Sequence, residues 1–258
     1  MADKFVAESG GARVLLVRAD NPGAMTLAGT NSYVVAVDGR CWVIDPGPDD
    51  ARHLTALAEA ARRLGSPAGV ALTHEHGDHS EGVEPLRELL DGVPLQRFGE
   101  DVAGSPLLGV HTPGHSADHL VFLLGDVLFS GDLILGGSST IVPPGGGTLA
   151  AYFESLAALA DFEPRLILPG HGPPIEDAAS AVRNQLEHRL ARENALAAAL
   201  DDGVRDREEL LDRAWSDVPP QLRIAAHVTM QSHLEKLDIE GRLPDDFETD
   251  GRRRWGHR

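Results

Sequence analysis

The sequence predicts a layered α/β domain with its strands at the centre, followed by a small unit built from helices. Three observations carry this reading. Up to residue 172, short β-branched or apolar runs alternate with loops punctuated by Gly and Pro. Between several of those runs, apolar residues recur at three- and four-residue spacing, the period of a half-buried helix. After Pro173-Pro174 the strand signals stop and only helical patterns follow.

In chain order, the expected strands are Val14 to Val17, Ser32 to Val37, Cys41 to Ile44, Gly69 to Leu72, Leu120 to Leu124, Val127 to Phe129 and Leu166 to Leu168. Helices are expected over Ala51 to Leu64, Glu81 to Leu90 and Leu149 to Leu159. In the last of these Leu149, Tyr152, Phe153, Leu156 and Leu159 form one apolar stripe. A long helix, Ala178 to Leu200, ends at Asp201-Asp202-Gly203, and a second covers Arg207 to Trp215. A third runs from beyond Asp217-Val218-Pro219-Pro220 to about Ile239. Three helices and a terminal apolar residue in this space suggest a helical or winged-helix unit. The expected division is 1–175 for the α/β domain and 176–258 for the helical one. The tail Arg252-Arg253-Arg254-Trp255 reads as short, basic and mobile.

The chain has 258 residues, 42% of them hydrophobic and 24% charged, which suits a globular protein of at most two compact units and excludes a disordered or collagen-like chain. A single Cys, Cys41, excludes an intrachain disulfide framework and a zinc site made of several thiolates. Reducing, cytoplasmic surroundings fit this composition, and no secretory or transit segment is visible at the start of the chain. The charge-free stretch from Leu133 to Phe153 is long enough for a membrane helix, but seven of its 21 residues are Gly or Pro, so it reads as a loop. A net charge of −17 argues against a general nucleic-acid binder.

The sharpest feature is Thr73-His74-Glu75-His76-Gly77-Asp78-His79, directly after an apolar strand. Residues two apart in an extended loop point the same way, so His74 and His76 can share one metal ion, while Asp78 and His79 face a second. Three further candidates lie at strand ends: His115 in His111-Thr112-Pro113-Gly114-His115, Asp132 in Phe129-Ser130-Gly131-Asp132, and His171 in Pro169-Gly170-His171-Gly172. Each alone reads as a turn residue, whereas together they complete two metal sites. Ser138, Ser139 and Thr140 either line the cleft or form an ordinary connection. His53, His111, His188, His227, His233 and His257 have no partner at ligand spacing and read as solvated or core histidines.

On these motifs the chain resembles the metallo-β-lactamase superfamily, and within it the beta-lactamase-like protein 2 group. The stretches that carry the resemblance are 25–33, 73–79, 112–119, 129–136, 169–173 and His188-Arg189-Leu190-Ala191-Arg192-Glu193. The resemblance implies an αβ/βα sandwich with a C-terminal winged helix. It assigns His74, His76 and His115 to one zinc ion and Asp78, His79 and His171 to another, with Asp132 bridging. Five imidazoles and two carboxylates suit zinc, with manganese or iron left open by ligand type. Asp45, in Val43-Ile44-Asp45-Pro46-Gly47, matches a strand-end aspartate that orients a ligand imidazole; its other reading is an ordinary turn.

The implied activity is hydrolysis by a hydroxide held between two ions, with Asp78 and Asp132 orienting it and taking up its proton. His119, in His115-Ser116-Ala117-Asp118-His119, is either a proton donor to the leaving group or a structural neighbour of the metal centre. Enzymes of this architecture include an endoribonuclease acting on single-stranded RNA, which makes a phosphodiester one expected substrate. From residue 176 onward 13 basic residues face 18 acidic ones, so the helical unit lacks the footprint of an RNA binder. The first alternative is a small ester, thioester of the glyoxalase-II kind, or lactone; the second is a metal-binding winged-helix regulator without catalysis. A dedicated β-lactamase of the kind with a Cys ligand is disfavoured, since Asp132 stands at that position. Related folds often pair, which leaves a homodimer open.

Overall fold

The computed structural model describes residues 5–100, 102, 104–145 and 148–247. Two β-sheets face each other, each covered by helices on its outer side. The first sheet holds β1 (Phe5–Ser9), β2 (Ala12–Arg18), β3 (Asn31–Val37), β4 (Arg40–Ile44), β5 (Ser66–Ala71) and β6 (Leu95–Gln96), hydrogen-bonded in that order. The second holds β7 (Leu108–His111), β8 (Leu120–Leu124), β9 (Val127–Gly131) and β10 (Leu166–Pro169), in the order β10-β9-β8-β7.

The period-two alternation of each strand explains the layers. Tyr33, Val35, Trp42 and Ile44 point between the sheets and meet Phe122, Leu124, Phe129 and Leu168. Their neighbours Val34, Ala36, Cys41 and Val43 point outward and are covered by α1 (Ala51–Leu64) and by α3 (Val83–Leu89), which follows the single turn α2 (Gly77–Ser80). On the other side Val121, Leu123, Leu128 and Ile167 are covered by α4 (Thr148–Ala160) and by the start of α5 (Ala178–Asp201). Strands buried on both faces read as continuous apolar runs, which is why these were legible in the sequence.

The strands that sequence patterning passes over are β1, β6 and β7. All three are short, and β1 and β7 are edge strands whose residues are partly exposed, so no apolar period marks them. One local expectation changes. The motif after β5 is extended only as far as His76, and Gly77–Ser80 forms a helical turn with the His79 N–H donating to the His76 carbonyl.

β4 and β5 run parallel, as do β9 and β10, so their carboxyl ends lie at one end of each sheet. β8 is antiparallel to β9, which brings the segment before β8 to that same end. A hydrogen bond from the Leu120 N–H to the Thr73 carbonyl, 2.7 Å, joins the two sheets there. The seven expected metal ligands therefore gather at one end of the sandwich, as expected for α/β layers.

Beyond β10, α5, α6 (Arg207–Ala214) and α7 (Arg223–Ile239) enclose a core of their own around Leu196, Leu210, Met230 and Leu234. Among the described residues no strand follows β10. The basic tail Arg252 to Trp255 lies outside them. α5 spans both cores, with Val182 against the sandwich and Leu200 in the helical unit. No described helix is long and apolar enough to cross a membrane.

A buried carboxylate fastens α5 to α7. Glu193 is 3% exposed and accepts from Lys236 Nζ at 3.0 Å and Arg242 Nη1 at 2.8 Å, with His233 Nδ1 at 3.5 Å. Burial pushes its pKa up, but the nearby His233 ring and the hydrogen bonds from Lys236 and Arg242 outweigh this and hold it at about 2 rather than 4.5. Because the folded value is depressed, the stabilisation is complete above pH 4.5 and is lost as pH falls toward 2. The stability difference between wild type and Glu193→Gln, from urea melts, is expected to shrink by about 2 kcal/mol from pH 6 to pH 3. A pH-independent difference would contradict this assignment.

Candidate metal centre and cleft

The strand ends bring His74, His76, His79, His115, His171, Asp78 and Asp132 into one cluster. His76 Nδ1 lies 2.9 Å from His74 Nε2 and 2.9 Å from His115 Nε2. Beside this trio, His79 Nε2 and His171 Nε2 are 3.3 Å apart, and Asp78 Oδ2 is 3.1 Å from His171 Nε2. Asp132 lies between the groups. Its Oδ2 is 3.6 Å from His115 Nε2, and its Oδ1 is 3.4 Å from His79 Nε2 and 3.5 Å from His171 Nε2.

The outer nitrogens of these rings are already engaged, which fixes where the lone pairs point. Thr73 Oγ1 donates to Asp45 Oδ2 at 2.7 Å and is left to accept from His74 Nδ1 at 3.0 Å. His79 Nδ1 donates to the same Asp45 oxygen at 2.9 Å. His115 Nδ1 donates to the Ile141 carbonyl at 2.8 Å, and His171 Nδ1 faces the Gly29 carbonyl at 3.4 Å. The inward nitrogens of His74, His79, His115 and His171 are then bare acceptors. A proton on His76 Nδ1 satisfies one of its two neighbours and leaves the other as lone pair against lone pair. Asp132 Oδ1 is buried without a hydrogen-bond partner among the described residues. Such a set fits divalent cations, since one positive charge at each group satisfies all its inward donors at once.

The electrostatics agree. Burial pulls the His79 pKa down, but Asp132 and Asp45 outweigh it and push it well above the usual value. Burial raises Asp132, yet His79, His171 and His115 hold it far below the carboxylate range, so it stays ionised. Burial lowers His74, His115 and His119, reinforced at His74 by His79 and at His119 by His115. His74 and His115 are thus held neutral beside an ionised Asp132, as metal binding needs, whereas the charges around His79 favour its protonated form, whose inward proton a bound cation would displace.

The backbone makes room for this crowding. A Cβ on Gly170 would lie 2.7 Å from Asp132 Oδ1 and 2.7 Å from His79 Cε1. Asn31 Nδ2 donates to the carbonyls of Pro169 and Gly172, and the Tyr33 hydroxyl donates to that of Pro169, so β3 clamps the loop that carries His171. Asp45 lies behind the cluster at φ 49°, 2% exposed, where its Oδ1 also accepts from the Thr73 N–H at 2.8 Å. It touches the inward nitrogens of no ring and orients His79 from behind.

His119 is fully buried. Its Nε2 accepts from the Asp132 N–H at 3.2 Å, and its Nδ1 faces Thr112 Oγ1 at 3.0 Å. Both nitrogens are thus occupied away from the opening. Asp118 Oδ2 accepts from the Glu75 N–H at 2.8 Å. Among the other histidines, His53 bonds Ser32 Oγ, His111 bonds the Ala117 carbonyl, and His227 pairs with Glu208. His188 lines the cleft, and His257 lies outside the described residues.

The cluster opens into a cleft of about 690 Å³ between the sandwich and the helical unit. His76, Asp78, His115, Asp132 and His171 form its floor, and Ser138, Ser139 and Thr140 line it. Met25, Leu135, Ile141, Trp215, Val218 and Leu222 give it an apolar lining. Arg189 and Arg192 reach its wall from α5, but Arg192 is paired with Asp217 at 2.7 Å. Sequence reasoning misses Asn31, Thr73, Ile141 and Arg189 as supports of the cluster, because nothing in their spacing marks a hydrogen bond across the fold.

The family model described as the metallo-beta-lactamase superfamily matches residues 25–95 and 90–171. The chain is 31% identical to a beta-lactamase-like protein 2 homolog of Caenorhabditis elegans, over 89% of this chain and 85% of that one. It is 32% identical to an atrochrysone carboxyl ACP thioesterase of Aspergillus fumigatus, over 91% of this chain and 75% of that one. A metallo-beta-lactamase family protein of Thermus thermophilus superposes with a TM-score of 0.69 at 26% identity, over 88% of this chain and 94% of that one. Another solved relative, in a di-iron-bound form, has a TM-score of 0.51 at 29% identity, over 62% of this chain and 94% of that one. With more than half of its length matched by the family model and its fold shared with these structures, the chain belongs to the metallo-beta-lactamase superfamily and is a hydrolase of that family.

Proposed function

We propose that the protein is a metal-dependent hydrolase of an acyl thioester whose acyl group lies in the cleft between the sandwich and the helical unit. The observation that carries this is the cleft itself. Its volume of about 690 Å³ falls within the roughly 300–1,000 Å³ of small-molecule sites. Above the floor its walls combine the apolar side chains named above with neutral hydroxyls, and both arginines there are engaged: Arg189 is buried on the Thr140 carbonyl, and Arg192 donates to the Ala214 carbonyl and pairs with Asp217. A polynucleotide would ask for a groove with unpaired cations along it. The thioesterase among the relatives supports the same reading.

In this proposal His74, His76 and His115 hold one ion, Asp78, His79 and His171 hold another, and Asp132 serves both; zinc suits the donor set, and iron or manganese compete for it. When bound, the ions supply Lewis acidity, which lowers the pKa of water and polarises the carbonyl under attack. The protein's own groups do the rest. Asp78, half-buried at the mouth of the cluster, and Asp132 accept the proton of the attacking water. Asp45 keeps the His79 proton on Nδ1. We assign His119 a positioning role, holding the Asp132 backbone through Nε2. Trp215, Val218 and Leu222 exclude bulk water from the acyl group. The helical unit, from residue 176 on, supplies that wall.

The test is thiol release from aryl and alkyl acyl thioesters, before and after removal of metal by a chelator and reloading with zinc. Thioester turnover that is lost on chelation and regained on reloading is expected. Turnover of single-stranded RNA without thioester cleavage would transfer the assignment to phosphodiesters. No turnover of either, with metal bound, would favour the regulator reading.

A further inference from the structure

A guanidinium in a protein interior is costly unless a carboxylate and hydrogen bonds compensate it. Arg189 on α5 is 2% exposed, and among the described residues no acidic side chain comes within ion-pair distance of it. It donates instead from Nη2 to the Thr140 carbonyl, and its guanidinium carbon lies 5.3 Å from the centre of the Tyr152 ring. A charge buried at this cost holds a backbone carbonyl rather than an ion pair.

That carbonyl belongs to the segment that orients His115. His115 Nδ1 donates to the Ile141 carbonyl at 2.8 Å and lies 3.1 Å from Thr140 Oγ1. The same segment is pinned twice more by α7: Ser232 Oγ donates to the Val142 carbonyl at 2.7 Å, and the Gly145 N–H donates to Glu235 Oε2 at 2.9 Å. No regular element covers 135–145; besides these contacts the Gly136 N–H donates to the His171 carbonyl at 2.9 Å, Thr148 Oγ1 donates to the Pro143 carbonyl at 2.6 Å, and Val142 is packed in the core under α4, but among the described residues only Arg189 holds the Thr140 carbonyl with a charged donor.

We propose that Arg189 is a positioning residue for His115, acting through the Thr140-Ile141 backbone, and that α5 and α7 thereby set the affinity of the His74, His76 and His115 group for its ion. This rests on the metal-centre reading above. Without Arg189 the Thr140 carbonyl loses a charged donor, the adjoining peptide is free to rotate, and the Ile141 carbonyl no longer fixes the tautomer and tilt of His115. The helical unit is then coupled to the metal centre as well as walling the cleft.

The experiment titrates the metal-free full chain with Zn2+ and Co2+ against a competing chelator, reading the visible absorption of bound cobalt; His115→Ala marks which binding step belongs to this group. Arg189→Met is expected to weaken that step about 10- to 100-fold and to change its cobalt spectrum, leaving the other step unchanged. Arg189→Lys should recover most of the affinity, because an ammonium can still donate to the Thr140 carbonyl. Ser232→Ala should weaken the same step by less, and it carries the comparison if Arg189→Met does not fold. Leu196→Ala, in the core of the helical unit and away from the segment, is the stability control, expected to lower Tm without moving the step. Wild-type affinity and spectrum in Arg189→Met would overturn the proposal, as would equal weakening in Leu196→Ala. A wild-type chain that binds neither ion would instead overturn the metal-centre reading on which it rests.

Discussion

Replacing Asp132 by Asn is expected to remove at least one bound ion per chain and to lower kcat/KM by about 10²–10⁴, the range for a lost proton-transfer group. The change keeps the shape of the side chain and removes its charge. Oδ2 lies 3.6 Å from His115 Nε2, and Oδ1 lies 3.4–3.5 Å from the Nε2 atoms of His79 and His171 with no hydrogen-bond partner among the described residues. An amide at this position would lose the negative charge shared by the two groups and direct N–H donors toward one of them. Metal content by mass spectrometry and thioester turnover measured together check this. Full metal content with unchanged turnover would show that the carboxylate does not serve both groups.

Asp45→Asn is expected to produce the second largest loss although the side chain reaches no inward nitrogen. Its two carboxylate oxygens accept from the Thr73 N–H, Thr73 Oγ1 and His79 Nδ1. An amide can accept at one position only. With its NH2 toward His79, the ring is driven to the other tautomer, which places a proton on Nε2 where Asp132, Asp78 and His171 converge. Metal affinity should fall about 10- to 100-fold at the His79 group. A buried donor left without a partner costs a further ~1–3 kcal/mol. Chelator competition and a thermal melt measure the two effects separately. A variant that lost stability but kept its metal affinity would mean that Asp45 holds only Thr73.

Much of the fold was legible because the strands are buried on both faces. Ser32 to Val37 and Leu120 to Leu124 read as apolar runs, and α1 follows its amphipathic pattern from Ala51 to Leu64. The edge strands β1 and β7 were not legible, since four or five residues that are mostly only partly buried are too few for an alternating pattern to stand out. The helical turn at Gly77–Ser80 is not legible either, because four residues are too few for a helical period to register.

The chemistry of the centre is a local property of the sequence. Histidine and aspartate in register after a strand, with a single cysteine in the chain, decide the donor types, and donor types decide which ions can bind. Its geometry is not local. His79 and His171 are 92 residues apart, and Asn31 reaches Pro169 across 138. Their meeting depends on which strands lie parallel and on how the two sheets close against each other. Tertiary structure alone decided that Asp132 lies between two groups, that the helical unit gives the cleft an apolar wall at Trp215, Val218 and Leu222, and that Arg189 is buried against the Thr140 carbonyl. Periodicity encodes which face of an element is covered, whereas distances between side chains on different elements follow from register and packing, and these exist only once the whole core has formed.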